Sequence, residues 1–259
     1  MKHVYHLDLD DDAIAQARHA LLPGDPGRVP TIARAFDDGA RELAWKREYR
    51  SFRGRMEGRQ VLVTSTGIGG PSASIAVDEL AQLGVDTFLR VGTTGAIRQG
   101  VAVGDIVITT GAVRMDGAST HYAPIEYPAV AHHEVVGALV EAAQAEGIPH
   151  HVGVTASSDT FYPGQERHDS YAGHVLRRFR GQTDELAKLN VLNYEMESAT
   201  ILTMCAAFGL RGGCVTGVVA RRAHEEHIMP DDLAIGERNV IRVAVAAMRR
   251  LIRSQVFDH

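Results

Sequence analysis

The sequence has little cysteine and lacks the motif spacings of disulfide-linked and metal-bound proteins. It contains only two cysteines, Cys205 and Cys214, which lie in apolar surroundings and lack C-x-x-C spacing. A disulfide scaffold and a thiolate zinc site are therefore not expected, and both thiols are predicted to be buried. None of the 13 histidines belongs to an H-E-x-x-H motif, so a histidine-bound metal is not expected either.

The chain also lacks the features of membrane and nucleic-acid binders. It has no run of about 18 apolar residues, the length that a membrane-spanning helix needs. With 27 basic and 32 acidic residues its net charge is -5, so polyanions such as nucleic acids and anionic membranes are not attracted at long range. The polar residues 1–12 do not resemble a signal peptide, and a cytoplasmic location is expected.

What the sequence does have is glycine and a substantial apolar fraction. There are 26 glycines among 259 residues, and 45% of the residues are hydrophobic. Average glycine usage is only about 7%. The excess indicates many places where the backbone turns tightly or approaches a ligand or another segment.

Apolar segments of strand length alternate with segments of helical periodicity. Strands are expected at 20–22, 43–49, 61–64, 87–91, 105–113, 152–157 and 214–220. Helices are expected at 29–36, 72–83, 134–146, 198–208 and 231–253, and a long irregular segment at 158–190. This alternation predicts an α/β fold, a single domain spanning 1–259 with a mixed, largely parallel central sheet flanked by helices.

Arginines accompany glycine-bearing turns at strand ends, where ligands gather in α/β sheets. The candidates for anion binding are Gly24, Arg28, Arg47, Arg90 and Thr93. Arg47 is expected on one face of strand 43–49, and Thr93 in a turn at 92–95. Guanidiniums, a hydroxyl and open backbone amides suit a phosphate dianion. The absence of Walker and G-x-G-x-x-G spacing favours a free phosphate. Taken alone, each arginine is also compatible with a solvated surface position.

A second candidate element is expected at the start of the helix that follows Asn193. Glu197 falls on the same stripe as Ile201 and Met204, so its carboxylate is predicted to be buried at the N-terminal end of an apolar helix. It can accept hydrogen bonds from substrate hydroxyls, with Met196 as an apolar wall. The alternative is that Glu197 only caps the first turn.

A third element lies in the loop after the strand at 152–157. Phe161 can lie against a flat ring, Gln165 has both a donor and an acceptor, and Arg167 only donates. This set suits the edge of a planar heterocycle that carries a carbonyl and an N–H. A loop that contains an aromatic residue for structural reasons alone is the alternative.

Five segments together resemble the uridine branch of the first nucleoside phosphorylase family. They are residues 22–26, 66–72, 90–96, 157–167 and 193–198. The glycine turns and Glu195-Met196-Glu197 are typical of the whole superfamily, whereas Gln165-x-Arg167 is typical of the uridine branch. The similarity runs along nearly the whole chain, from about His6 into the last helix.

The resemblance implies reversible phosphorolysis of uridine to uracil and ribose 1-phosphate, in pyrimidine salvage. It implies that Arg167, Gln165, Glu197 and Arg90 are catalytic, that phosphate binds Gly24, Arg28, Arg47, Arg90 and Thr93, that ribose binds His6, Thr93, Glu195, Met196 and Glu197, and that uracil binds Phe161, Gln165, Arg167 and Arg222. Arg47 and His6 would reach the site of a neighbouring subunit in a homo-oligomer, a hexamer built as a trimer of dimers. No organic cofactor is implied, but a potassium ion between two subunits is, held by Glu48, Ile68 and Ser72.

Some positions depart from the family pattern. The stretch 218–224 lacks the acid that purine phosphorylases of this family use, and the next acid is Glu225, so purines are disfavoured. Arg221 stands where a small polar residue is expected, and Trp45-Lys46 replaces a smaller pair. The alternatives kept open are broader specificity (thymidine, deoxyuridine or purine nucleosides), a water-using nucleosidase, and a non-catalytic nucleoside-binding protein of the same fold.

Overall fold

Strands of mostly buried residues alternate with helices throughout the chain, as this computed structural model of residues 2–222 and 229–254 shows. The strands are β1 (His3–Val4), β2 (Leu9–Asp10), β3 (His19–Leu22), β4 (Arg41–Lys46), β5 (Tyr49–Met56), β6 (Arg59–Thr64), β7 (Thr87–Ala96), β8 (Ile106–Met115), β9 (Ala129–Val130), β10 (His150–Ser158), β11 (Val191–Glu195) and β12 (Arg211–Arg221). The helices are α1 (Asp11–Ile14), α2 (Val29–Arg34), α3 (Gly70–Gln82), α4 (His133–Ala145), α5 (Gln182–Lys188), α6 (Ser198–Ala207) and α7 (Pro230–Ser254).

Ten of these strands form one sheet in the described part of the chain, in the order β11-β10-β8-β12-β7-β3-β6-β5-β4, with β9 paired to β8. The pairs β6–β3, β3–β7, β7–β12, β8–β10 and β10–β11 are parallel, and the other pairs are antiparallel. The predicted α/β fold with a mixed sheet is confirmed. β11 also pairs with β7, Tyr194 opposite Gly95, which closes β7, β12, β8, β10 and β11 into a ring.

Helices cover both faces of the sheet because successive strand residues point to opposite sides. In β7, Phe88 packs into the core formed with α3 and α6, whereas Leu89 packs into the core formed with α2, α4 and α7. Both side chains are fully buried. Within residues 2–222 and 229–254, no helix combines the length and the apolar character that crossing a bilayer requires.

Four predicted elements need correction. The segment 43–49 is not one strand: β4 ends at Lys46, and a two-residue turn at Arg47 and Glu48 leads into β5. Residues 92–95 are not a turn, because β7 continues through them to Ala96. Residues 193–197, expected at the start of a helix, precede it: Asn193 lies in the strand β11, and α6 begins at Ser198, as predicted for the helix at 198–208. The segment 158–190 is not irregular throughout, since it contains α5.

Candidate active site

The carboxyl ends of the central strands surround a cavity of about 640 Å³. This volume is within the usual range for small-molecule sites. The predicted site residues that line it are Gly24, Arg28, Glu48, Ile68, Ser72, Arg90, Thr93, Phe161, Gln165, Arg167, Glu195, Met196 and Glu197. They come from six separate segments of the sequence, which the strand ends bring together, as expected for a sheet of this class.

At the centre of the cavity, a buried arginine lies between two buried carboxylates. Arg90 Nε donates to Glu195 Oε2 at 2.8 Å, and Arg90 Nη2 pairs with Glu197 Oε2. All three residues are less than 5% exposed. Although burial alone would lower it, the carboxylates of Glu197 and Glu195 raise the pKa of Arg90. Burial raises the pKa of Glu197, while Arg90 acts in the opposite direction.

The two carboxylates have different structural roles. Glu195 Oε2 accepts from the backbone N–H of Glu197 at 2.9 Å, and both its oxygens accept from that of Ser198, so Glu195 provides the cap at the start of α6. Glu197 makes no side-chain cap bond there, and the alternative that it only caps the helix is wrong. Its Oε1 instead accepts from Gly69 N–H at 2.6 Å. Glu197 is therefore held with its carboxylate facing the cavity.

Residues 92–95 form no turn, and the glycine at position 92 is needed for packing against Arg90 instead. A Cβ at Gly92 would lie 3.0 Å from Arg90 Nη2 and 3.1 Å from a methyl of Thr216. The absent side chain lets the Arg90 guanidinium fold back along its own strand towards the carboxylates. Glycine here serves close packing within a strand, and the chain does not turn.

A second arginine lies at the same end of the cavity. Arg28 follows β3, and its side chain is only 14% exposed. Burial lowers the pKa of Arg28, and the carboxylate of Glu237, with Oε1 3.6 Å from Arg28 Nε, acts in the opposite direction. The Nη1 atoms of Arg28 and Arg90 are buried and have no hydrogen-bond partner among residues 2–222 and 229–254. Two buried cationic donors of this kind fit an anion.

The loop after β10 forms the opposite side of the cavity. The Arg167 guanidinium lies 3.8 Å from the centre of the Phe161 ring. Gln165 is 3% exposed, and its Oε1 lies 3.4 Å from Arg222 Nη1. The loop is anchored by Glu166, whose Oε2 accepts from Thr183 N–H at 2.8 Å. Donors, an acceptor and an aromatic ring therefore converge on this side of the cavity.

Three predicted site residues lie outside the cavity lining of their own chain. Arg222 contacts two residues of the lining: its Nη1 lies 3.4 Å from Gln165 Oε1, and its guanidinium lies 5.1 Å from the centre of the Tyr194 ring. Arg47 is exposed at the tip of the β4–β5 hairpin, with a φ of 55°. This left-handed backbone is unusual for a residue other than glycine. His6 lies in the N-terminal segment, where Nδ1 is 2.6 Å from Glu79 Oε1.

The residues predicted to hold an ion lie together at the rim of the cavity. Ser72 Oγ donates to Glu48 Oε1 at 3.0 Å, and the Ile68 side chain is 77% exposed. These residues offer a carboxylate, a hydroxyl and backbone carbonyls, which are hard oxygen donors. The described part of the chain contains no group of three or more His, Cys, Asp or Glu arranged to hold a metal ion.

Sequence reasoning did not find the partner of Arg28. Glu237 lies on α7, and it reaches Arg28 because Gly236 packs directly on β12: a Cβ on Gly217 would lie 2.2 Å from the Gly236 carbonyl oxygen. In the sequence, only the glycines at 217 and 236 indicate that α7 packs closely on β12, and they are far apart. The position of Glu225 relative to the cavity lies outside the described residues.

Comparison with known proteins shows the family to which this chain belongs. The family profile of the Phosphorylase superfamily matches residues 18–253. The uridine phosphorylases of Salmonella typhimurium and Escherichia coli are each 53% identical to this chain over 249 residues, covering 96% of this chain and 98% of theirs. The uridine phosphorylase of Haemophilus influenzae is 51% identical over 254 residues, covering 97% of this chain and 100% of its own. The chain therefore belongs to the Phosphorylase superfamily.

Proposed function

We propose that this protein is a uridine phosphorylase, a pentosyltransferase that converts uridine and phosphate reversibly into uracil and ribose 1-phosphate. The observation that carries the proposal is the cavity itself. On one side it has two buried guanidiniums whose Nη1 atoms find no hydrogen-bond partner in the described part of the chain, and on the other it has the Phe161–Gln165–Arg167 loop. The similarity to curated uridine phosphorylases over nearly the whole chain supports the same activity.

In the proposed reaction, phosphate is the nucleophile and attacks C1′ of the ribose. The N-glycosidic bond breaks, and its electron pair leaves with the uracil. Arg28 and Arg90 hold the phosphate through their buried Nη1 donors, beside Gly24 and Thr93. No protein nucleophile is needed, so the protein contributes positioning and electrostatic stabilisation.

The remaining groups act on the sugar and the base. Glu197 accepts from the 2′- and 3′-hydroxyls, beside Met196, while Glu195 keeps Arg90 aimed at the phosphate. Gln165 and Arg167 donate to the uracil as negative charge develops on it. Arg222 acts on the base through Gln165. Positioned donors of this type typically contribute about 10²–10³ in rate each.

The proposal includes an oligomer with shared sites. His6 and Arg47 would act on the ribose 5′-hydroxyl and the phosphate of a second copy, within a hexamer assembled as a trimer of dimers. Glu48, Ile68 and Ser72 of two copies would hold potassium, and the oxygen donors of this rim fit such an ion. The chain would work in the cytoplasm, in pyrimidine salvage. Sedimentation with potassium or sodium as the only cation tests both parts, and a fully active monomer would contradict the shared site.

Uracil absorbance with and without phosphate tests the reaction. Uracil release that requires phosphate is expected. Release that is independent of phosphate would indicate a nucleosidase, and no release would indicate a binding protein. Thymidine, deoxyuridine and inosine in the same assay test the specificity. Uridine is expected to react faster than deoxyuridine, because deoxyuridine lacks the 2′-hydroxyl from which Glu197 accepts.

A further inference from the structure

Trp45 and Lys46, the pair that departs from the family pattern, connect the β4–β5 hairpin to the N-terminal segment. Lys46 Nζ donates to the Tyr5 carbonyl oxygen at 2.6 Å and lies 4.0 Å from the centre of the Tyr5 ring. Trp45 Nε1 donates to the Arg47 carbonyl oxygen at 3.2 Å. Adjacent residues of one strand thus bind both the tip that carries Arg47 and the segment that carries His6.

The other side of the N-terminal segment is fixed by Glu79 on α3. Its carboxylate accepts from His6 N–H at 3.0 Å and from Leu7 N–H at 2.8 Å, and it lies 2.6 Å from His6 Nδ1. Although burial alone would raise it, these hydrogen bonds keep the pKa of Glu79 below its ordinary value. Since an ionised carboxylate only accepts, Nδ1 donates to it, and Nε2 is the ring nitrogen left for a ligand.

The surface around these contacts has the composition of a protein interface. Tyr5 is 62% exposed and Trp45 is 57% exposed, with the exposed Arg47 beside them. Arg50 lies over the Trp45 ring at 4.2 Å and holds it in place. Tyrosine, tryptophan and arginine are the residues most enriched at interface centres. Glu48, the neighbour of Arg47, lines the cavity, so this surface adjoins the cavity rim.

The two arginines at the phosphate end of the cavity are already paired with carboxylates, so a further cation there would strengthen phosphate binding. Arg90 pairs with both Glu195 and Glu197, and Arg28 pairs with Glu237. Among the described residues, these two guanidiniums thus already pair with three carboxylates. A phosphate dianion at this end therefore gains from a further guanidinium, and Arg47 lies at the rim but outside its own cavity.

We propose that Lys46 is a positioning residue, which locks the His6 segment and the Arg47 hairpin tip into one unit presented to the active site of a second copy of this chain. This inference rests on the proposed function. In this arrangement Lys46 itself does not contact the substrate. Its role is to fix the distance between two groups, one directed at the ribose 5′-hydroxyl and the other at the phosphate.

The test compares uridine with 5′-deoxyuridine at saturating phosphate, because only uridine has the 5′-hydroxyl that His6 would contact. Lys46→Met is expected to lower kcat/KM for uridine about three- to tenfold, the worth of one hydrogen bond, and to change that for 5′-deoxyuridine little. It also raises the KM for phosphate. The control is Lys188→Met, the same change at a side chain that is 78% exposed. It should leave kcat/KM unchanged for both uridine and 5′-deoxyuridine.

His6→Ala and the double variant complete the cycle. His6→Ala should lower the preference for uridine over 5′-deoxyuridine. Adding Lys46→Met to His6→Ala should then change that preference little further. Lys46→Arg keeps N–H donors and a cation over Tyr5, so it should retain the wild-type preference for uridine over 5′-deoxyuridine. It keeps the proposal testable if Lys46→Met does not fold. A wild-type preference in Lys46→Met, additive effects in the double variant, or a Lys46→Arg variant as impaired as Lys46→Met would overturn the inference. Failure of the unmodified chain to release uracil with phosphate would overturn the proposed function instead.

Discussion

Replacing Arg90 by methionine removes the positive charge that lies between two buried carboxylates. Arg90 Nε is 2.8 Å from Glu195 Oε2, its Nη2 pairs with Glu197, and all three side chains are at most 5% exposed. Removing one partner of a buried ion pair costs about 3–5 kcal/mol. Because two carboxylates lose their partner here, we expect a loss near the upper end, about 5 kcal/mol. That is a large fraction of the roughly 5–15 kcal/mol that holds a typical protein folded.

The loss should depend on pH with a definite sign. Burial already raises the pKa of Glu197 despite the opposing charge of Arg90. Without that charge, the folded variant holds a proton on Glu197 over a wider range above 4.5, the ordinary value, whereas the unfolded chain has released it. Since the folded state then binds more protons, the free energy of unfolding falls as the pH rises above about 4.5 and recovers on acidification.

Urea unfolding at pH 5 and pH 8 measures both effects. The free energy of unfolding of Arg90→Met should be lower than that of the unmodified chain, and the difference should be larger at pH 8. The matched control is Arg98→Met, the same change at an exposed arginine, which should alter stability by less than about 0.5 kcal/mol. A loss below about 1 kcal/mol in Arg90→Met, or one that does not grow with pH, would refute the role assigned to Arg90.

Four further outcomes are expected. Arg28→Gln should raise the KM for phosphate about 10- to 100-fold in initial-rate assays and change the KM for uridine less, since it loses charged hydrogen bonds to phosphate alone. Arg167→Ala should slow uracil release about 10²–10³-fold with an unchanged far-UV circular dichroism spectrum, and near-normal turnover would contradict its assignment. Gly217→Ala should destabilise the protein by about 1–3 kcal/mol in thermal melts, because the new Cβ would lie 2.2 Å from the Gly236 carbonyl oxygen and α7 must shift. Burial raises the pKa of both cysteine thiols to about 12, so a thiol-reactive disulfide reagent should label them only after unfolding.

The residues of the candidate site could be predicted from the sequence because each follows a local rule. Arg28 and Gln165 follow strands, and Arg90, although inside β7, pairs with Leu22 at the carboxyl end of β3. Parallel strands bring such ends to one edge of the sheet. All three line the same cavity. The chemistry of these side chains suits an anion on one side of the cavity and a planar polar ring on the other.

What the sequence could not reveal depends on contacts between distant segments. Residues 92–95 contain two glycines and were expected to turn, but the pairing of β7 with β12 and β11 keeps them extended. The hairpin turn after Lys46 has no glycine, proline or asparagine to mark it, and Arg47 adopts the left-handed conformation instead. Glu237 meets Arg28 only because α7 lies against β12.

The closure of the strand ring sets the order in which this protein can become active. Arg90 on β7 and Glu195 on β11 are 105 residues apart in the sequence, and they meet where Gly95 pairs with Tyr194. Contacts of such long sequence separation form slowly, because a long loop must close before they contribute. In the proposed function, a chain emerging from the ribosome therefore lacks the carboxylate that orients Arg90 until β11 has been synthesised and has joined β7. Recovery of activity during refolding is therefore expected to follow completion of the ring.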